Sequence, residues 1–556
     1  YYGPPVEAVT YFKKSTLQVD SNRGQCETCG NVNPEQIFNI IEAKVVDEYG
    51  QPTPKRKINP AQWYEWYRER FRIHKVEDVR EEPPRSLNLP NRLKQTIIFT
   101  TRDTLAKLSN KQYLLINLLE APLLAFILAF IIKYRSAPGG KEYMFRFNDN
   151  FPAFILMSII VALFMGLTVS AEEIIRDRKI LKRESFLNLS WNSYLLSKII
   201  ILFTLSAVQT LSFVLIGHYI LEVEWRMILP YWLMLFTVSC MANVLGLNIS
   251  SAFNSAVTVY VMIPLLLIPQ MILSGLLFRF DKLNEIISTK GKVPLVADFM
   301  ASRWAFEGLA VYSFVNNSYQ KPYYTYEKIE SQADFRSSFL VDELEKRRKF
   351  IADNIGNTSD SVRRLMQKDL EIIRKSLKDD YYKKGLEKLN FNEPWSLNMF
   401  TEAFNHQLEE FLHNYRRFYQ DVYNKAVAHR EKLIYEHENA KGSTYNLNEY
   451  KNRYFNESLA DLVKNVSAKN RIEEYNGELI QNINPVFLDP TPKGILDYRT
   501  HFYAPVKNLL GMRLNTYAFN LLVIWFMALV FYITLYFELL KKAMDLTGKV
   551  TVTAKK

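Results

Sequence analysis

Cysteine is scarce in this sequence: 556 residues contain only Cys26, Cys29 and Cys240. None lies in the charged stretch after residue 280, so that stretch cannot hold a disulfide in any compartment. Cys26 and Cys29 form one CxxC, but a structural zinc site needs four ligands and no second pair follows, so loop thiols are the expected reading. A GxxxxGK[ST] loop is also absent, which leaves the residues given without a cradle for ATP phosphates. Residue 1 is Tyr, and no basic run followed by an apolar core opens the chain. Strand-like alternation is rare.

Long apolar runs are present. The mean hydropathy of -0.13 hides a partition, with apolar residues gathered in 113–278 and 517–537 and charge elsewhere. About 20 helical residues cross the roughly 30 Å of bilayer hydrocarbon. By that measure spans are expected at 113–132, 152–170, 199–221, 228–250, 256–278 and 517–540. The net charge of +12 fits basic flanks beside anionic lipid better than nucleic acid. An even number of spans puts both ends on one side, and the basic residues before 113, in 171–198 and after 540 make that side the cytoplasm.

The stretch Ser170 to Lys198 interrupts two of these runs with Arg176, Arg178, Lys179, Lys182, Arg183 and Lys198 against Glu172, Glu173, Asp177 and Glu184. It reads as a cytoplasmic polar hinge on which a soluble motor could push. Ahead of the spans, 1–50 reads as the tail of a folded domain, with a helix over Pro34 to Asp47 capped by Asn33. Residues 51–91, with six prolines, read as a linker. Within it Trp63, Tyr64, Trp66, Tyr67 and Phe71 alternate with basic residues. Such a stripe could stack on single-stranded nucleic acid, but an interfacial or inter-domain helix is the stronger expectation. Residues 92–111 suit an amphipathic helix along the membrane surface.

Inside the first expected span lie Asn117 and Glu120, followed by Pro122. An intramembrane carboxylate is a functional-site hypothesis by default; the alternative is that Glu120 is satisfied by a neighbouring helix or lies near the interface. Pro264 and Pro269 mark the fifth span as kinked and in the bundle interior. The segment 316–505 is charged and helix-rich. Phe400, Phe404, Leu408, Phe411, Tyr415, Phe418, Val422 and Ala426 recur at helical spacing and predict one long amphipathic helix. Shorter helices are expected at 329–351, 362–377 and 450–463. His406, Glu410 and His413 could share a face of the long helix, but their spacing matches no hydrolase signature, so no metal is expected.

DRKILKRE at 177–184 resembles the DRxIFxRE type of sequence in the first cytoplasmic loop of G-subfamily (White-type) ABC exporters. Three further stretches fall in that family's order: YYGPPVEAVTYF at 1–12 with NPEQIFNII at 33–41, SGLLFRFDKL at 274–283, and SRWAFEGL at 302–309. The resemblance implies a mostly α, polytopic six-helix transmembrane domain of ABC-exporter type with a helical extracytoplasmic insertion. Its parts would be 1–50 as the C-terminal tail of a nucleotide-binding domain, 51–91 as linker and 92–111 as connecting helix. Residues 112–310 would hold helices 1–5 with a re-entrant stretch, 316–505 a periplasmic insertion, and 510–545 helix 6 and the basic C-terminus.

The resemblance further implies a coupling helix carrying Asp177, Arg178, Arg183 and Glu184, an apolar plug at Leu276 and Leu277, and an inner cavity faced by Ile268, Met271 and Met165. ATP and Mg would act through a nucleotide-binding domain outside these residues, upstream in a longer polypeptide or, alternatively, on a separate subunit. Partners implied are the bilayer, a second copy or a related half-transporter, that ATPase domain, and a periplasmic protein docking on the insertion, in a bacterial inner membrane. An apolar cavity suits a lipid-like or amphiphilic substrate or a peptide. The alternative is a mechanotransmitter, in which the periplasmic domain acts on a partner and nothing crosses the bundle.

Overall fold

The computed structural model describes residues 1, 3–22, 24, 34–71, 90–134, 143–184, 189–284, 286–288, 291–378, 380, 382, 384, 391–439, 445–491, 494–495 and 497–553. Two compact units divide the chain, Tyr1–Asn88 and Leu89–Lys556.

The first unit contains α1 (Pro5–Ser15), α2 (Glu35–Glu42), β1 (Lys44–Val46), β2 (Pro52–Arg56) and α3 (Pro60–Arg70). The helix expected to reach Asp47 stops at Glu42, because the next residues pair antiparallel with β2. Asn33, Cys26 and Cys29 lie outside the described residues. Residues 52–71, read from their prolines as linker, carry a strand and a helix. Asn59 starts α3 with its amide donating to Gln62 Oε1 (3.0 Å), and Pro60 takes the first turn, where a missing N–H costs nothing. The aromatic stripe packs inside this unit: Trp63 lies 5.3 Å from Phe12 and Phe71 lies 5.5 Å from Tyr11, ring centre to ring centre.

The second unit begins with α4 (Arg92–Ser109), α5 (Lys111–Ile132), α6 (Phe151–Ser170), α7 (Glu173–Glu184), α8 (Trp191–Leu221), α9 (Ile228–Ala252), α10 (Ala256–Ile272), α11 (Leu295–Asp298) and α12 (Ala301–Val315). Among the described residues, five helical stretches are long and apolar enough to cross a membrane: Lys111–Ile132, Phe151–Glu184, Trp191–Leu221, Trp225–Ala252 and Thr516–Tyr536. Of these five, the stretches that contain α6 and α9 are the most buried and form the centre of the bundle.

α10, an apolar helix of 17 residues, is shorter than the span expected at 256–278 and is not among these five, because the chain turns after Ile272. It does not lie in the interior as expected. Val257, Val261, Leu265 and Ile268 are exposed, and only Val259 and Ile263 are buried. A helix apolar on every side carries no sequence mark of which face meets protein. α12 is buried against α6, α9 and the last spanning helix.

After α12 come α13 (Tyr324–Asp334), a π-helical turn (Phe335–Leu340), α14 (Val341–Asn354), α15 (Asp360–Lys378), α16 (Glu402–Asn439), α17 (Leu447–Tyr454) and α18 (Glu457–Lys464). The long helix expected from Phe400 onward is α16, whose Phe404, Leu408, Phe411, Tyr415 and Ala426 are buried on one side. The helix expected over 450–463 is split, because Asn456 turns out of it. Its Oδ1 caps α18 by accepting from Leu459 N (2.8 Å), and its Nδ2 donates to the carbonyls of Phe145 and Asn148 (2.9 Å each) before α6.

Two hairpins follow, β3 (Ile472–Tyr475) with β4 (Glu478–Gln481), and β5 (Val506–Leu509) with β6 (Met512–Asn515). Asn476 and Gly477 both have positive φ (51° and 72°), as a two-residue hairpin turn requires. The chain closes with α19 (Thr516–Tyr536) and α20 (Leu539–Thr553).

Candidate functional site

α7 carries the charged residues singled out in the sequence, and its first half is locked in place. The amides of Ile174 and Ile175, otherwise unsatisfied at a helix start, donate to Ser250 Oγ of α9 (3.1 and 3.2 Å). One turn on, Arg178 donates to the carbonyls of Ser251 and Phe253 (3.1 and 2.9 Å) and to Asn254 Oδ1. A cation there satisfies the open carbonyls of a helix C-terminus and complements its dipole. The start of α7 is therefore clamped across the end of α9.

Beside this clamp lies a buried ionic hub. Lys198 Nζ of α8 reaches Asp177 Oδ2 (2.7 Å), Glu173 Oε2 (3.0 Å) and Asp103 Oδ2 of α4 (3.1 Å). An ammonium has three protons, and here each faces a carboxylate. Lys107 of α4 adds bonds to Glu173 Oε2 and Asp103 Oδ2 (2.9 Å each). Arg176 lies 3.3 Å from Glu173 Oε1, and the Tyr194 hydroxyl donates to Asp177 Oδ2 (3.1 Å). Lys198 and Glu173 are each only 2% exposed as side chains, so these charges persist only as a mutually satisfied set. Burial pushes the Asp103 carboxyl up, but Lys198 and Lys107 outweigh it and hold the group below its ordinary value. The hub joins α4, the charged helix α7 and the apolar helix α8.

Expected site residues fall on both sides of this picture. Asp177 and Arg178 belong to the hub and clamp. Glu184, at the far end of α7, pairs with Arg102 Nη1 of α4 (2.8 Å), while Arg183 is exposed. Lys198 was expected to end the hinge just outside a span beginning at Ile199. Instead α8 begins at Trp191, which places Lys198 two turns inside it. Glu173 and Lys198 were thus visible only as part of a basic excess, and Asp103 and Lys107 only as surface-helix charge. A lysine within an apolar helix is costly enough to have been the usable signal.

The second expected site is the turn after α10. Gly275 has φ +89°, and a Cβ there would lie 2.6 Å from the Phe502 ring, so only glycine fits. Ser302 Oγ donates to the Gln270 carbonyl (2.6 Å), and its amide donates to Gln270 Oε1 (3.0 Å). SRWAFEGL is thereby joined to the last turn of α10, just ahead of SGLL. Leu276 is half-buried against the main core, whereas Leu277 and Ile268 are exposed and Met271 is half-buried. Met165 is 1% exposed within the α6 core, so it does not share an open face with them. Asn117 is buried and bonds back to the Tyr113 carbonyl (2.8 Å). Glu120 is half-buried, with no hydrogen-bond or ion-pair partner among the described residues. His406, Glu410 and His413 are exposed on α16.

A further cluster at the other end of the bundle escaped the sequence reading of SRWAFEGL. Glu307, fully buried, faces Lys507 of β5 and accepts from Asn520 Nδ2 of α19 (3.0 Å) and the Tyr503 amide (3.2 Å). Arg303 lies 3.6 Å from both Glu307 and Asp298, with its guanidinium 3.7 Å from the Trp304 ring centre. Its Nε and Nη1 make no hydrogen bond among the described residues. Burial pulls the Lys507 ammonium down to about 7.

Residues 94–311 match the family model described as "ABC-2 type transporter". No curated protein matches the chain. The matched stretch covers α4, the hub, the SGLL turn and most of α12. With several helices able to cross a membrane, it makes this a multi-pass membrane protein whose residues 94–311 form an ABC-2 type transporter membrane domain, the transmembrane permease part of an ABC transporter.

Proposed function

We propose that the chain is the membrane half of a G-subfamily type exporter that works as a dimer with nucleotide-binding domains and moves a lipid-like or amphiphilic substrate or peptide outward. The observation that carries this reading is the locked α7. Because Glu173, Asp177 and Arg178 fix its first half to α4, α8 and α9, a push on the exposed Arg183 end reaches three helices as a rigid displacement. The apolar face of α10, exposed in one copy, supports a face shared with a second copy and with apolar cargo. In this reading Arg183 and Glu184 meet the motor, and Leu276 and Leu277 close the path.

A second reading is favoured by how firmly the 316–505 segment is fastened to the bundle. Besides the Asn456 bonds, Arg146 Nε donates to Glu457 Oε1 (2.7 Å). Such a joint would carry motion into that segment and make the chain a mechanotransmitter acting on an outside partner. Reconstitution with the nucleotide-binding partner tests both. Under the exporter reading, ATP drives a labelled lipid across vesicles, and Arg183→Ala with Glu184→Ala lowers ATPase and translocation together by about tenfold or more. Leu276→Ala with Leu277→Ala changes leak or coupling. Nucleotide-dependent ATPase without translocation of any amphiphile favours the mechanotransmitter, and wild-type rates in the Arg183/Glu184 variant overturn the role of α7 in both.

A further inference from the structure

At the end of the bundle where α6 passes into α7, a cavity of about 600 Å³ opens between α4, α8 and α19. That volume lies within the roughly 300–1,000 Å³ of small-molecule sites. Its walls combine Arg92 and Gln95 of α4, Trp191 and Asn192 of α8, and Tyr532 and Tyr536 of α19. The chemistry is one-sided. Arg92 has no ion-pair partner among the described residues, and no carboxylate lines the cavity. Trp191 Nε1, a donor, is buried with no acceptor among the described residues. The first turn of α8, a helix of 31 residues, adds the positive end of its dipole. Several of the other polar groups are already occupied: Gln95 Oε1 accepts from the Ser190 amide (2.8 Å), Gln95 Nε2 donates to the Pro90 carbonyl (2.8 Å), and Tyr532 donates to Asn192 Oδ1. The wall is thus held, and apart from the Tyr536 hydroxyl, which can donate or accept, its open groups are donors and positive charge.

Its depth follows from the helices that form it. Trp191 is the first residue of one spanning helix and Tyr536 the last of another. On α4, the same helix as Arg92, Leu93 and Ile97 are 73% and 65% exposed, the apolar stripe of a helix lying in a membrane surface. Aromatic side chains with polar tips favour the same zone. Exposed apolar side chains run away from the cavity along both spanning helices, Leu196 and Ile200 on α8 and Leu529 and Ile533 on α19. These helices are in contact, with Phe203 and Trp525 ring centres 6.0 Å apart.

We propose that this cavity holds the phosphate headgroup of an anionic phospholipid from the adjoining leaflet, with its acyl chains along the exposed faces of α8 and α19. Arg92 neutralises the phosphate, Trp191 Nε1 donates to it, and the bound lipid ties the surface helix α4 to two spanning helices beside the hub. This holds whatever the protein transports.

Native mass spectrometry of the full chain released from detergent tests it, with phosphatidylglycerol, phosphatidylcholine and sn-glycerol 3-phosphate as probes. Wild type retains phosphatidylglycerol at least about fivefold more than phosphatidylcholine, the worth of one cation near a charged headgroup. Arg92→Gln, a change at an exposed position, removes that preference, and Trp191→Phe lowers retention of both lipids. Equal preference in wild type and Arg92→Gln overturns the proposal, as does unchanged retention in Trp191→Phe. Displacement of the lipid by equimolar glycerol 3-phosphate identifies a soluble phosphate as the occupant and overturns the lipid assignment.

Discussion

Each end of the bundle holds a buried ion cluster, and the two are balanced differently. The hub sets Asp103, Glu173 and Asp177 against Lys107, Lys198 and Arg176, and most of its charges have more than one partner. The opposite cluster centres on a single carboxylate. Glu307 alone faces Lys507 and Asn520, while Asp298 shares Arg303 with it at 3.6 Å and accepts from the Tyr498 hydroxyl (3.4 Å). Desolvated charges are stable only when matched, so redundancy makes the hub tolerant of losing one member, and its absence makes the other cluster brittle. A redundant cluster keeps α4, α7 and α8 joined when one pair is lost, whereas the other cluster holds α12, the β5–β6 hairpin and α19 together through one carboxylate.

The strongest way to break this comparison is Glu307→Gln, which leaves Lys507 and Arg303 buried without their carboxylate. It should cost about 3–5 kcal/mol, read as a large drop in thermal midpoint in detergent. Glu173→Gln should cost less, about 1–3 kcal/mol, since Asp103 and Asp177 still face Lys198; equal losses would erase the distinction. Lys507 sharpens it through pH. Its ammonium is depressed to about 7 by burial, against an ordinary value near 10.4. Between those values the unfolded chain binds a proton that the folded chain lacks, so stability rises with pH in that window, by at most about 1.4 kcal/mol per unit. Lys507→Met should flatten the slope of midpoint against pH from 7 to 9, and an unchanged slope would remove Lys507 as its source. The smallest stability effect belongs to Arg102→Gln. Its pair with Glu184 has Arg102 44% exposed and is worth about 0.2–1 kcal/mol, yet under the proposed coupling role of α7 ATPase-driven transport should fall, because the far end of that helix loses its tie to α4. Intact transport would confine the coupling to the hub.

Much of the architecture was readable because it rests on local quantities. The spans follow from length and apolarity, and α16 follows from the spacing of Phe404, Leu408, Phe411 and Tyr415, each a property of consecutive residues. Asn476–Gly477 was an equally local hairpin signal that the rarity of strand patterning obscured. The clusters were not readable in this way. Glu173 and Lys198 looked like ordinary hinge charge, and Glu307 looked like one letter of a family motif. Pairing Lys198 with Asp103, or Glu307 with Lys507 two hundred positions away, depends on which helices end side by side.

The sequence by itself therefore determined that the chain crosses a membrane through apolar helices, that a charged helix interrupts them, and that a long amphipathic helix follows, because helical periodicity and hydrocarbon thickness act on neighbours in the chain. Only the tertiary structure decided that α10 lies at the edge rather than in the interior, that Lys198 stands inside a spanning helix, and that the two ends differ in their charge balance. Burying an ion is favourable or ruinous according to what other elements bring within about 4 Å, and no stretch of sequence carries that distance.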